Sequence, residues 1–263
     1  MPTILDKILA VKRQEVAALA PRLAELKAAC RAAPPPRGLA AVLRKTSGTG
    51  SVRIIAEVKH RSPSAGVICD PFVPAEIARA YEQGGADAIS CLTDRDFFGG
   101  SIDHLREVRA AVGLPVLRKD FLVAAVQVYE ARAAGADAVL LIAEALDQAA
   151  MSDLAALAAD LGMDVLAEAH GEAAVEEAIA CGAPLVGVNN RDLGTFAVSL
   201  ETTERLARRV RDAGRVLVAE SGIKTAADVS RLLAAGCDAI LVGEGLLRSG
   251  NVGAKLAEFK KAR

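Results

Sequence analysis

The sequence predicts a single closed (β/α)8 barrel of the TIM-barrel class with an N-terminal helical extension, and three observations lead there. The chain has 263 residues, 52% hydrophobic and 25% charged, which is enough apolar material for one sizeable core. Barrels of about 250 residues form as one domain. From residue 52 onward, short β-branched runs alternate with stretches whose apolar residues fall at helical spacing, the pattern of βα units around a parallel sheet. Finally, G-A-D-A-I at Gly85, G-A-D-A-V at Gly135, G-A-P-L-V at Gly182 and G-C-D-A-I at Gly236 recur at separations of 50, 47 and 54 residues. Glycine there suits the left-handed C-cap that ends a helix before the next strand. A mark at every second strand is quarter-barrel periodicity, which an open doubly wound sheet does not require.

Taken in order, strands are expected at 52–59, 88–94, 115–121, 138–144, 164–170, 185–191, 215–221 and 239–243. Helices are expected near 74–84, 101–112, 124–134, 147–161, 171–181, 199–211, 225–235 and 252–262. Residues 1–50 stand outside these units. LDKILAVKRQEVAAL and RLAELKAACRA read as helices, and the proline run in RAAPPPRG ends the second. The organisation expected is therefore an extension over 1–50, too small for a second domain, and a barrel over 51–263. The extension should either cap the open bottom of the barrel or lie near its mouth.

Composition narrows the partners. Lys plus Arg number 32 against 33 Asp plus Glu, so no cationic field gathers a nucleic acid or an anionic membrane. Aromatics at 3%, with no Trp, are too few for base-stacking platforms. Five cysteines without a C-x-x-C pair suit a reducing compartment, the cytoplasm, and Cys181 and Cys237 read as packing residues, so no zinc or other metal is expected. Charges throughout MPTILDKILAVKRQE leave no uninterrupted span of about 20 apolar residues.

The chemistry of a βα barrel sits at the C-terminal ends of its strands. There the runs end in Glu57 and Lys59, in Arg118, Lys119 and Asp120, in Glu144, in Glu168 and His170, in Asn189, Asn190 and Arg191, and in Glu220 and Ser221. Alternation puts Glu57 with Lys59 on one face and Glu168 with His170 on one face. Burying charges costs several kcal/mol per ion unless they are paired, so a cluster of them needs a reason beyond stability. Two lysines among carboxylates supply acid, base and clamp without metal or cofactor. Strands seven and eight run into E-S-G-I-K-T and V-G-E-G-L-L, where Gly222, Gly243 and Glu244 lie in the turns in which such barrels hold phosphate. Ser62 and Ser64 add hydroxyls in the loop after strand one.

The segments IAEVKHRSPSAG (55–66), LTDRDFFGGS (92–101), VLRKDF (116–121), GVNNRDL (187–193), ESGI (220–223) and LVGEGLL (241–247) resemble those of the indole-3-glycerol phosphate synthase family, in order and over about residues 5–260. The resemblance implies closure of 1-(2-carboxyphenylamino)-1-deoxy-D-ribulose 5-phosphate to indole-3-glycerol phosphate, with loss of CO2 and water, in tryptophan biosynthesis. It implies Lys119 as general acid, Glu168 as the carboxylate assisting proton removal, and Lys59 on the substrate carboxylate. It places Glu57, Asn189 and Glu220 around the substrate hydroxyls and nitrogen, Arg191 and Ser221 along the site, and Ser62, Gly222 and Gly243 at the phosphate. The sequence leaves open how acid and base roles divide among Lys59, Lys119 and Glu168. The chain departs from the family pattern at His60, Arg61, Ala65 and Glu144, and reads LAEAH at strand five where the family more often has LVEVH. No fused isomerase domain is expected after unit eight. The competing readings are a Schiff-base aldolase or sugar-phosphate isomerase, separable by borohydride trapping, and a non-catalytic pathway subunit, which the full residue set argues against.

Overall fold

Eight parallel strands close on themselves in the computed structural model, which describes residues 3–45, 51–192 and 197–263. The strands are β1 (Arg53–Val58), β2 (Ala88–Leu92), β3 (Val116–Lys119), β4 (Ala138–Ile142), β5 (Asp164–Ala169), β6 (Leu185–Asn189), β7 (Val216–Glu220) and β8 (Ala239–Val242). Each lies inside its expected run, and β8 pairs with β1 to complete the cylinder. The expected boundary at residue 50 and Leu193 of the NNRDL motif fall outside the described residues.

Helices α1 (Ile4–Leu19), α2 (Leu23–Ala32) and α3 (Leu39–Leu43) precede β1. Around the barrel follow α4 (Pro74–Gln83), α5 (Ile102–Ala111), α6 (Ala125–Ala133), α7 (Gln148–Asp160), α8 (Glu172–Ala180), α9 (Glu201–Asp212), α10 (Ala226–Ala235), α11 (Glu244–Leu247) and α12 (Val252–Lys261). The expectation had no α3 and no hairpin of Arg61–Ser62 with Gly66–Val67. Each is too short to show a period. The four repeat glycines all take positive φ, at 90°, 91°, 84° and 97°.

Strand alternation sorts the core into two shells. Ile54, Ala56 and Val58 face the helices, while Ile55 joins Leu117, Leu166 and Val218 inside the cylinder. Each fully buried Leu or Ile contributes about 1.5–3 kcal/mol. Two residues beyond these four, on the same inward stripe, come Glu57, Lys119, Glu168 and Glu220, one from each odd-numbered strand. Alternate strands of such a barrel supply its interior layers, so the layer that should be apolar is charged.

The extension does both things expected of it as alternatives. From α3, Leu39 and Leu43 are fully buried against Ile55, Ala88 and Leu117 and plug the bottom. Ile4, Leu5 and Ile8 of α1 line the mouth at the other end. Between them α2 lies on α6, where the Cys30 thiol donates to the Tyr129 carbonyl at 3.2 Å.

The aspartate of the G-A-D repeat has its own task at the bottom. Asp87 accepts the Ile54 N–H at 2.7 Å, Asp137 the Val116 N–H at 2.7 Å, and Asp238 the Leu217 N–H at 2.9 Å. Each carboxylate satisfies a donor where an odd strand begins, and an unmet buried donor costs about 1–3 kcal/mol. Among the described residues no helix is long and apolar enough to cross a membrane.

Candidate active site

The mouth opens into a cavity of about 1000 Å³. Its inner floor is the charged layer. The Lys119 ammonium lies 3.4 Å from Glu168 Oε2 and 3.7 Å from Glu220 Oε2. Across the layer, Lys59 Nζ donates to Glu57 Oε2 at 2.5 Å. Asn189, next to Glu220 in the β6–β7 ladder, donates from Nδ2 to Glu168 Oε1 at 2.9 Å.

Electrostatics divides these groups. Burial works against the Lys119 charge, but Glu168, Glu220 and Glu57 outweigh it and hold the ammonium protonated far above the usual lysine range. Burial pushes the Glu57 carboxyl up, yet Lys59 and Lys119 bring it below its ordinary value. Glu220 goes the other way. Buried against Glu168, its carboxyl is raised well above the usual carboxylate range, and its Oε1 has no hydrogen-bond partner among the described residues. The floor thus sets an ammonium and a carboxylate whose charged forms are favoured beside a carboxyl whose charged form burial and Glu168 disfavour, a divergence of environments of the kind acid-base chemistry uses.

All twelve residues expected at the site line this one cavity: Glu57, Lys59, Ser62, Lys119, Glu168, Asn189, Arg191, Glu220, Ser221, Gly222, Gly243 and Glu244. Their parts differ. Arg191 donates its backbone N–H to Asn189 Oδ1 at 3.0 Å. Ser221 takes φ 66°, a left-handed backbone rarely adopted by a side-chain-bearing residue, and its carbonyl accepts from Asn190 Nδ2 at 3.2 Å. The Glu244 carboxylate turns to Arg248 at 3.0 Å, so toward an anion it offers its backbone. Ser62 Oγ accepts the Ala65 N–H at 3.2 Å and shapes the hairpin loop.

Alternation misleads at the end of β5, and Arg118 and Glu144 turn away from the cavity. His170 lies beyond β5, bonds the Asn189 carbonyl through Nδ1 at 2.7 Å, and does not line the cavity. Arg118 faces outward, with Thr93 Oγ1 at 3.0 Å and the Gln127 carbonyl at 2.9 Å. Glu144 sits in a single turn after β4 and accepts the His170 N–H at 2.8 Å.

Other site features were not foreseen. A Cβ at Gly243 would lie 2.5 Å from Glu57 Oε2, and one at Gly187 would collide with Glu220 Oε1. These glycines make room for carboxylates, a demand visible only once strands are neighbours. The apolar wall of Ile4, Leu5, Ile8, Phe98, Phe121 and Ile142 was also unread. Among the described residues no group of His, Cys, Asp and Glu is arranged to hold a metal ion.

A family model described as indole-3-glycerol phosphate synthase matches residues 5–259. An indole-3-glycerol phosphate synthase of Aromatoleum aromaticum is 54% identical over 250 residues, 94% of this chain and 95% of that protein. Proteins of the same name from Albidiferax ferrireducens and Polaromonas sp. are each 50% identical over 261 residues, 98% of both chains.

Proposed function

The chain belongs to the indole-3-glycerol phosphate synthase family, and from that premise we propose how its own residues divide the family's reaction. The activity is the ring closure of 1-(2-carboxyphenylamino)-1-deoxy-D-ribulose 5-phosphate to indole-3-glycerol phosphate, with release of CO2 and water. The observation that carries the assignment of roles is the Lys119 ammonium held between Glu168 and Glu220.

Lys119 is the general acid. As the aryl carbon attacks the ketone carbon, the carbonyl π pair goes to oxygen and takes the lysine proton, leaving a hydroxyl. Loss of CO2 from the attacking carbon returns an electron pair to the ring. The Lys119 amine regains a proton from solvent and gives it to the departing hydroxyl, which leaves as water, while Glu168 accepts the proton lost from the neighbouring carbon. Lys59, steadied by Glu57, holds the substrate carboxylate. Asn189 and Glu220 orient the hydroxyls and nitrogen, and Arg191 and Ser221 complete the wall. The aryl ring lies on the apolar side, and the phosphate sits in the turns of Ser62, Gly222, Gly243 and Glu244.

A Schiff-base aldolase requires a neutral, nucleophilic lysine, and Lys119 is held charged by its three carboxylates. The cytoplasm is the compartment that goes with this reading, supported by the five free thiols. The experiment is conversion of the carboxyphenylamino-deoxyribulose phosphate, followed by product fluorescence, with inorganic phosphate as inhibitor. Phosphate should raise KM and leave kcat unchanged. Gly222→Val, which meets Val198 at 2.5 Å and a φ of +79°, should lose that competition. Equal inhibition in a folded variant would move the phosphate elsewhere.

A further inference from the structure

A lysine of the first helix packs against the residues just past the ends of β2 and β3, with no part in the steps above. Lys12 is 0% exposed, on the inner face of α1 one turn after Ile8. Its ammonium lies 2.8 Å from Asp94 Oδ2, 2.8 Å from Asp120 Oδ1 and 2.8 Å from Glu15 Oε2. A leucine or methionine would anchor a helix there without desolvating a charge. What the two aspartates hold is therefore informative.

Asp94 Oδ1 accepts the Phe97 and Phe98 N–H groups at 2.8 and 3.0 Å and shapes the turn after β2. Asp120 follows Lys119 directly and closes the end of β3, taking the Thr93 hydroxyl at 2.6 Å and the Phe121 N–H at 2.8 Å. Phe98 and Phe121 stand 6.2 Å apart across the cavity wall. Burial would push the Asp120 carboxyl up, but Arg118 and Lys12 hold it below its usual range.

We propose that Lys12 is a positioning residue for the reaction: it ties the Asp94 turn and the Asp120 strand end into one frame and so places Lys119 and the Phe98–Phe121 wall. The proposal rests on Lys119 being the general acid. It gives the N-terminal helix a share in kcat that its apolar contacts alone would not.

The test compares Lys12→Met, Lys12→Met/Asp94→Asn and Lys119→Ala by Tm, kcat and KM. The double variant removes a charge together with its counter-charge and keeps an acceptor for the Phe97 and Phe98 N–H groups, so its Tm should recover toward the parent. Its kcat should stay about tenfold low, short of the roughly 10²-fold that a misplacement of about 1 Å costs. Its KM should move by less than about threefold, since the missing interaction acts in the transition state. Recovery of Tm and kcat together would overturn the proposal, because Lys12 would then only neutralise charge. Loss of fold in both Lys12 variants would overturn it too, making Lys12 a stability element. Parental kcat in Lys119→Ala would instead remove the general-acid assignment, whatever the Lys12 variants do, so the two failures are told apart.

Discussion

Both ends of the barrel bury carboxylates, and they are treated in opposite ways. At the bottom, Asp137 accepts the Val116 and Arg37 N–H groups, both at 2.7 Å, with Arg109 at 3.2 Å. At the top, Glu220 is as deeply buried, lies against the Glu168 carboxyl, and leaves one oxygen without a partner among the described residues. The bottom carboxylates complete the backbone of the strands they touch. Glu220 is held in an arrangement that stability alone does not favour, which is where binding and proton transfer are expected.

Substitutions at the two ends should separate activity from stability. The largest effect is expected at the top: Lys119→Ala should lower kcat by about 10²-fold or more, about 3 kcal/mol of barrier, with circular dichroism and Tm close to the parent. Unfolding in step with the lost activity would erase the contrast. Next comes the bottom, where Asp137→Ala leaves two buried donors unmet and should cost about 2–4 kcal/mol in denaturant unfolding, with kcat per folded molecule unchanged. A fall in kcat there would show that the ends are not separate.

Smaller changes sharpen the comparison. Gly243→Ala pushes on Glu57 Oε2 and should reduce kcat by about tenfold, near 1.4 kcal/mol, with the phosphate response measured alongside. A pure rise in KM would mean that this glycine serves the phosphate alone. Last, Glu220→Gln should stabilise the fold while slowing catalysis. The Glu220 carboxyl is raised by burial and by Glu168, so above the unfolded carboxylate value the native state holds a proton that the unfolded chain releases. Stability from this group therefore falls as pH rises toward the raised value. Glutamine mimics the protonated form and should gain about 1 kcal/mol at neutral pH, seen as a flatter Tm against pH. A lower Tm at every pH would show that the carboxyl is stabilising after all.

Much of the top was legible from the sequence because inward-facing strand positions alternate: Glu57 and Lys59, then Lys119, Glu168 and Glu220, interrupt apolar runs. The repeat glycines were legible for the same kind of reason, since a left-handed cap is a local demand. The aspartate two residues after Gly85, Gly135 and Gly236 stood equally plain in the repeat, but its partner is a backbone N–H on the preceding odd strand, so its role could not be read locally. Gly187 and Gly243 are empty because carboxylates from β7 and β1 need the space, a fact about ladders and not about runs. Lys12 left a faint sign, a charge on the apolar stripe that carries Ile8; the aspartates that explain it lie more than eighty residues away.

The most direct measurement is the single-turnover rate of ring closure in the parent and in folded Lys119→Ala, read by indole fluorescence with enzyme in excess over the carboxyphenylamino-deoxyribulose phosphate. Under those conditions product release drops out and the chemical step is seen alone. The charged layer at the top predicts product in the parent and a step slowed by about 10²-fold or more without the lysine. Equal single-turnover rates in the two proteins would contradict it.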